Sequence, residues 1–442
     1  MMRLFGNRDK KYLKIAFPSA MEGIFISALS AADIIMVGVL GTAAIAGVSI
    51  FTQPRMMILC VTRSIAAALT IVAAERFGAG DRAGAGRMTT QTMALSTLLL
   101  TVIHIGFYIN LESILRWMGA DDTYIALAME YSELALLGVF FTSLAAILQA
   151  LLLGFGKTAF VFSINLQGNI INVIGNFIFI FGFGPIPAYG VFGAAIGTIL
   201  GTAWTLLLTL RMSCKERVLH TADILPDRAY FRKFLPVFGS IFSEQGFERI
   251  GMVLYTRMVA ELGVLAYAIH AICMNFCDFY YAFAAGLGKG STILAGHAVG
   301  AKDEKAWREA KRLSFRWAFI FSTISFVLTY IFREEIFMIY STDPEALYMG
   351  AIIMAVVALV SFPEGHQMVG AGILRASGKT KAVATYSFVS VAFLRPIITA
   401  LFLYEFGWGL IGAWAAVAID QSIRAGAATW LLSRLRWERV VR

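Results

Sequence analysis

Within long apolar runs, this sequence places a small set of acids and amides at helical spacing. Glu22 precedes Asp33 by eleven residues, three helical turns, so the two carboxylates share one face if the run is a helix. Asn165, Asn169, Asn172 and Asn176 follow an i, i+4, i+7, i+11 pattern, a single stripe of amides. Glu244 and Glu248 stand one turn apart, and Glu364 is a further acid in a later run. Ionisable groups at membrane depth are costly, and they usually face a cavity or a partner. Carboxylates converging in a low dielectric stay charged together only when a cation joins them. The chemistry on offer is exchange of a proton or a hard cation. Each group also has a plainer reading. Asp33 could pair with Arg55 or Arg63, the amide stripe could be interhelical glue, and the later acids could pair with Arg249, Arg257 or Lys289.

Other constellations carry less. His270, Cys273 and Cys277 fall on one helical face, but buried cysteines are usually small apolar residues, and no metal site is expected. Asp278 and Lys289 share a face three turns apart. Lys289 is a cavity-lining candidate that neutralises Asp278 or Glu364, or meets an anionic substrate. Asp420 and Arg424 form an i, i+4 pair of mutual neutralisers. Gly156-Lys157-Thr158 and Gly378-Lys379-Thr380 suggest a phosphate loop, but Leu151 and Ile373 stand where its first glycine is needed. ATP is therefore not expected to drive this chain, no catalytic residue is assigned, and no enzyme is expected.

The elements that position these residues must be membrane helices. The chain has 442 residues, 59% hydrophobic and only 15% charged, a deficit spread over its whole length. Hydrocarbon cannot hydrogen-bond a bare backbone, so a crossing takes about 20 mostly apolar residues. Twelve spans are expected, at about 14–38, 47–75, 88–112, 124–153, 159–183, 190–212, 234–259, 262–298, 311–333, 346–374, 382–405 and 409–433. The N-terminal stretch to Lys14 leads straight into the first span and carries no cleavable signal pattern.

The formal net charge of +9 follows the loops rather than a nucleic-acid surface, so no nucleic-acid partner is expected. One alternating set of loops holds the bases. It runs from Arg8, Lys10 and Lys11 through Arg76, Arg82 and Arg87 to Lys157, then from Lys215, Arg217, Arg228, Arg232 and Lys233 onward. The later members are Lys302–Arg312, Arg375, Lys379, Lys381, and Arg434, Arg436, Arg439 and Arg442. The other set holds Glu112, Asp121, Asp122, Glu334, Glu335, Asp343, Glu345 and Glu405, with Arg116 and Arg333 as exceptions. The bias puts both termini in the cytoplasm and makes the protein a multi-pass inner-membrane protein.

A repeat divides the chain. Leu40-Gly41 matches Leu262-Gly263, Gly78-Ala79-x-Asp81 matches Gly300-Ala301-x-Asp303, and the two Gly-Lys-Thr triplets share the same offset. The expected organisation is an N-terminal six-helix lobe at 1–213, a cytoplasmic linker at 214–233 and a C-terminal six-helix lobe at 234–442. Two lobes the same way up place a substrate route between them.

With these pieces in order, Pro18…Asp33-Ile34-Ile35-Met36-Val37-Gly38 and Leu40-Gly41 resemble the first helix of multidrug and toxic compound extrusion (MATE) transporters. Gly78–Asp81 and Gly300–Asp303 resemble that family's turns after helices 2 and 8. Gly370-Ala371-Gly372-Ile373-Leu374-Arg375-x-x-Gly378 resembles its helix-10 end. The resemblance spans essentially the whole chain. It implies an all-α protein of two pseudo-symmetric six-helix bundles that exports small amphiphilic, cationic compounds by alternating access against H+ or Na+. It implies no other cofactor, and a monomer in the bilayer. It also implies roles. Asp33 matches the N-lobe cation-site aspartate, and Asn172 matches the first position of a helix-5 Asn-x-x-x-Asp pattern. Asn176 stands where one branch has the aspartate, so a two-aspartate proton mechanism does not transfer. Glu244 and Glu364 match acids on helices 7 and 10, with Glu248 beside them. Two rivals share some features: a flippase for lipid-linked saccharides, which needs a basic cavity such as Arg55, Arg63, Arg249 and Lys289 could line, and a membrane-embedded transferase.

Overall fold

The apolar runs fold as helices because only an internally bonded backbone survives in hydrocarbon. The computed structural model describes residues 7–216, 224–338 and 343–440, with the side chains of 7, 8, 27–32, 34, 42, 229 and 439 also outside the description. Among the basic positions named above, Arg8, Arg217, Arg439 and Arg442 fall outside it, as do 217–223 of the expected linker. In chain order the helices are α1 (Asn7–Gly38), α2 (Thr42–Ile50), α3 (Thr52–Gly78), α4 (Arg82–Ile109), α5 (Leu111–Trp117), α6 (Ile125–Gly154), α7 (Thr158–Phe181) and α8 (Gly190–Lys215). They continue with α9 (Arg228–Ala260), α10 (Val264–Gly300), α11 (Glu304–Ile331), α12 (Arg333–Met338), α13 (Pro344–Ala376), α14 (Thr380–Ser387), α15 (Arg395–Ala400) and α16 (Gly409–Arg434).

The twelve expected spans all correspond to helix, with differences at the breaks. The second span is α2 followed by α3, and the eleventh is α14 and α15 joined by π-helical turns at Phe388–Leu394 and followed by another at Leu401–Glu405. Pro396 has no N–H and would crowd the carbonyl four residues back, so the helix widens there. The Arg395 N–H reaches back five residues to the Ser390 carbonyl. Short helices α5 and α12 lie in the acidic loops, where Leu111, Leu115 and Phe337 are buried. Eight described stretches meet the length and hydropathy of a crossing. The long helices α9, α10 and α16 fall short because they carry the polar residues of interest: Glu244 and Glu248, Asp278 and Lys289, Asp420 and Arg424.

The sequence repeat is a repeat of turns. Gly41 and Gly263 have φ of 108° and 99°, and Gly156 and Gly378 have 77° and 75°. At the third pair, Gly80 (φ 78°) is matched by Lys302 (φ 54°), a left-handed residue that is not glycine. In each half an aspartate then caps the next helix: Asp81 accepts from the Gly84 N–H at 2.8 Å, and Asp303 from the Ala306 N–H at 2.9 Å.

The chain packs as two units. One comprises Phe25–Phe238; the other comprises Gly239–Arg442 together with the chain up to Ile24. Packing units and sequence halves thus differ at both ends of the repeat, since α1 begins in one unit and ends in the other, as does α9. The reason for the first crossing is local. Tyr12, Ala16 and Ala20 are buried in one apolar cluster with Phe283, Leu287 and Trp317. Gly286 and Gly290 of α10 admit that close approach, since a Cβ on either would lie 2.3 and 2.6 Å from the Cα atoms of Ala20 and Ala16. In the Phe25–Phe238 unit, α7 and α6 both pack on α8, and α6 also packs on α3; in the other, α13 packs on α10, α11 and α16.

Candidate functional site

In the Phe25–Phe238 unit the amide stripe is split between tasks. The stripe lies on α7, and glycines let α8 pack directly against it: Cβ atoms on Gly197 and Gly201 would lie 2.1 Å from Asn176 Oδ1 and 2.7 Å from Asn172 Cβ. That contact delivers Asn172 and Asn176 to the end of α1. Asn176 Nδ2 donates to Asp33 Oδ1 at 2.9 Å. Asn172, with its amide turned so that nitrogen faces the carboxylate, donates to Asp33 Oδ1 at 3.1 Å while its oxygen accepts from the Thr198 N–H at 3.1 Å. The buried Asn176 Oδ1 has no hydrogen-bond partner among the described residues. Arg55 of α3 acts on Asp33 electrostatically, but the two form no ion pair within 4 Å among the described residues. Tyr131 of α6 closes the group through Thr198.

The other two amides are elsewhere. Asn165 exchanges hydrogen bonds with Gln149 of α6 at 2.7 and 3.2 Å, and Gln149 also donates to Thr209 of α8 at 3.2 Å. Asn169 turns back on its own helix to the Asn165 carbonyl. Half of the stripe therefore meets Asp33 and half is packing. Glu22 is buried and lies in the part of α1 that belongs to the other unit.

In the unit of Gly239–Arg442 the acids are met by bases. Glu244 of α9 is 2.6 Å from Arg375 Nη2 and accepts from Ser387 Oγ at 3.2 Å. Glu248, one turn on, is 2.9 Å from Arg424 Nη1 of α16. Asp420, fully buried, takes Arg395 Nε at 3.1 Å and Ser390 Oγ at 2.5 Å, with Arg424 Nε at 3.6 Å. The widened segment of the eleventh span supplies Ser390 and Arg395 to this cluster. Glu364 of α13 is 2% exposed and has no hydrogen bond or ion pair among the described residues. It lies within electrostatic reach of Arg424, Arg395 and Asp278. Gln367, one turn further along α13, is buried, and its Oε1 has no partner among the described residues.

Several sequence expectations change here. The partners of Glu244 and Glu248 are Arg375 and Arg424, not Arg249, Arg257 or Lys289. Arg375, placed by its sequence position among the loop bases, turns inward. Arg424 is shared between Glu248 and Asp420 rather than reserved for its i, i+4 neighbour. Lys289 is exposed on α10, with no ion-pair partner among the described residues. His270 is buried among the rings of Tyr255, Tyr267 and Trp414, beside Cys273 in an apolar cluster. Sequence reasoning missed Arg395, Ser387, Ser390, Gln149 and Thr198. A base inside an apolar run was the available signal for Arg395; the hydroxyls gave none.

Comparison with known proteins places this geometry in context. The MatE family matches the chain over residues 18–178 and 241–401, one match in each half. The multidrug resistance protein MdtK of Yersinia pseudotuberculosis is 24% identical over 97% of this chain and 95% of its own length. Among solved structures, a Vibrio cholerae MATE transporter, VcmN, superposes with a TM-score of 0.90 at 17% identity, covering 97% of this chain and 98% of that one. An outward-facing multidrug resistance MATE family transporter superposes with a TM-score of 0.89 at 20% identity, covering 98% and 97%.

Proposed function

Because this chain belongs to the MatE family, and is thus a multi-pass membrane protein of the MATE fold, we propose that it is a secondary active exporter of small amphiphilic cations, coupled to H+ or Na+ by alternating access. Glu364 is the coupling acid in this reading. A carboxylate buried without a donor or an ion-pair partner needs a proton or a cation, whereas Glu244 and Glu248 already have arginines. Binding a proton, Na+ or a cationic substrate at Glu364 changes the charge next to Arg395, Arg424 and Asp278. An ion shifts the balance between two access states only by stabilising one more than the other, and this cluster supplies such a difference. The lone acceptor oxygens of Gln367 and, in the other unit, of Asn176 suit a hard cation or a water.

In this reading Asp33 is a secondary cation site. Its hydrogen-bond donors are the neutral amides of Asn172 and Asn176, and an amide at Asn176 releases no proton near neutral pH. The protein resides in the inner membrane with both termini cytoplasmic, as the basic loops suggest, and works as a monomer. The flippase reading rests on Arg55, Arg63, Arg249 and Lys289; the MatE match and a relative named as a multidrug resistance protein favour export instead. The test is export of a fluorescent organic cation from proteoliposomes with pH and Na+ gradients imposed separately. Export driven by one gradient and collapsed by its dissipation supports coupling; export indifferent to both overturns it.

A further inference from the structure

At one end of the Gly239–Arg442 unit, two stretches of bases far apart in sequence meet. The first turns of α11 carry Arg308, Lys311 and Arg312, and the segment after α16 carries Arg436; together they line an open cavity of about 750 Å3. Like charges do not gather unless something offsets them. Arg308 is satisfied by Glu304 at 2.6 Å. Lys311 is not paired with an acid: its Nζ donates to the Leu432 carbonyl at 3.1 Å and stands 5.8 Å from the Trp307 ring centroid. Arg312 and Arg436 are exposed, with no carboxylate within 4 Å among the described residues. Among the described lining residues, three cations therefore face one remaining acid, Glu438.

The wall of the cavity is apolar. Trp307 and Trp437 pack with ring centroids 5.8 Å apart, and Phe315 and Leu435 complete it. Tryptophans of this kind mark a membrane–water boundary. At Ser433 the basic cavity adjoins a second groove of about 490 Å3 between α13 and α16, which Ser433 also lines. That groove is lined by Phe362, Pro363, His366, Ala425, Gly426 and Trp430 and carries no lysine, arginine or carboxylate among the described residues. From Ser433 to Ala425, α16 rises about 12 Å into the apolar part of the unit. A Cβ built on Gly426 meets nothing within 4 Å, so the groove is open along this side. A cationic pocket at the aqueous end and an apolar furrow running from it have the shape and polarity of one kind of ligand.

We propose that this composite groove is a binding site for an anionic phospholipid, with the phosphate against Lys311, Arg312 and Arg436 and an acyl chain along α13 and α16. A basic pocket at the cytoplasmic boundary takes an acidic headgroup, and the uncharged furrow contributes in proportion to the apolar area that the chain covers. The cations repel the amphiphilic cations proposed as export substrates, so the groove is not a second substrate site. The site requires only that the chain spans a bilayer, and its failure leaves the export reading untouched.

The test uses the purified full-length protein, delipidated and then titrated with phosphatidylglycerol or phosphatidylcholine, with bound lipid counted by native mass spectrometry. Wild type is expected to retain phosphatidylglycerol in preference to phosphatidylcholine. Arg312→Gln with Arg436→Gln lowers the phosphatidylglycerol affinity by roughly thirty-fold, each base being worth about a factor of five near an anionic surface. Gly426→Leu, which fills the furrow at a position with free space, lowers retention of both lipids. Inorganic phosphate at millimolar concentration leaves the bound lipid in place. Equal retention of the two lipids, unchanged affinity in the double variant, or displacement by inorganic phosphate would each overturn the proposal, the last by pointing to a free-phosphate site.

Discussion

Asp33 and Glu364 are both carboxylates on helices of an apolar protein, yet their surroundings differ in kind. Asp33 is held by neutral donors, Asn172 and Asn176, on a contact made close by the glycines of α8. Glu364 has no donor among the described residues and lies beside a chain of ion pairs, Glu244–Arg375, Glu248–Arg424 and Asp420–Arg395. A carboxylate held by neutral amides keeps lone pairs for a cation and has no ion pair to break. A carboxylate buried without donors, next to balanced charges, is an acid whose proton or cation changes the whole cluster. The two-fold sequence repeat did not produce two equal sites; it produced one scaffold of turns carrying two different electrostatic solutions.

The contrast can be broken most forcefully at Asp420. Asp420→Asn leaves Arg395, and partly Arg424, as buried charges without their anion, and the expected loss is about 3–5 kcal/mol. Asp33→Asn keeps an acceptor oxygen for the amides and is expected to cost only about 1–2 kcal/mol. Thermal unfolding of both variants in detergent measures the difference, and equal shifts would remove the distinction between ionic and hydrogen-bonded sites. A smaller effect is expected at Gly197→Ala. Its Cβ would meet Asn176 Oδ1 at 2.1 Å and the Asn176 nitrogen at 2.5 Å, so α7 and α8 must separate at about 1–3 kcal/mol. That variant should also weaken cation binding at Asp33 while leaving the Glu364 cluster alone, which isothermal titration with Na+ can check. The smallest effect is expected at Asn165→Leu, about 1 kcal/mol, with no change in ion coupling, because Asn165 serves packing with Gln149 rather than the carboxylate. A coupling defect in that variant would return the whole stripe to the transport site.

Much of this was legible in the residues. Span positions followed from hydropathy because the bilayer leaves the backbone no alternative. The repeat was readable because left-handed turns and capping aspartates constrain residue type, although Lys302 shows that the constraint is on conformation rather than on glycine itself. The association of Asp33 with Asn172 and Asn176 was suggested by resemblance and spacing together. Spacing alone could not tell that Asn165 and Asn169 serve other contacts, since a helical stripe rotates past more than one neighbour. The arginine partners were not legible. Arg375 and Glu244 are 131 residues apart, and Arg424 and Glu248 are 176 apart, so only the folded chain could pair them. Nor could hydropathy foresee that Pro396 would widen a helix and turn Ser390 and Arg395 toward Asp420. The exchange of α1 between units was hidden for the same reason, because Gly286 and Gly290 declare a close approach only once the opposing helix is known.

In the proposed function the coupling acid is Glu364 rather than Asp33. It is tested most directly by gradient-driven export in proteoliposomes carrying Glu364→Gln or Asp33→Asn, each first shown to be folded by thermal unfolding. The expected result is that Glu364→Gln abolishes coupling to the imposed gradient, while Asp33→Asn slows export and leaves it coupled. Export that remains coupled in Glu364→Gln and becomes uncoupled in Asp33→Asn would contradict the assignment and move the coupling site to the amide-bound carboxylate.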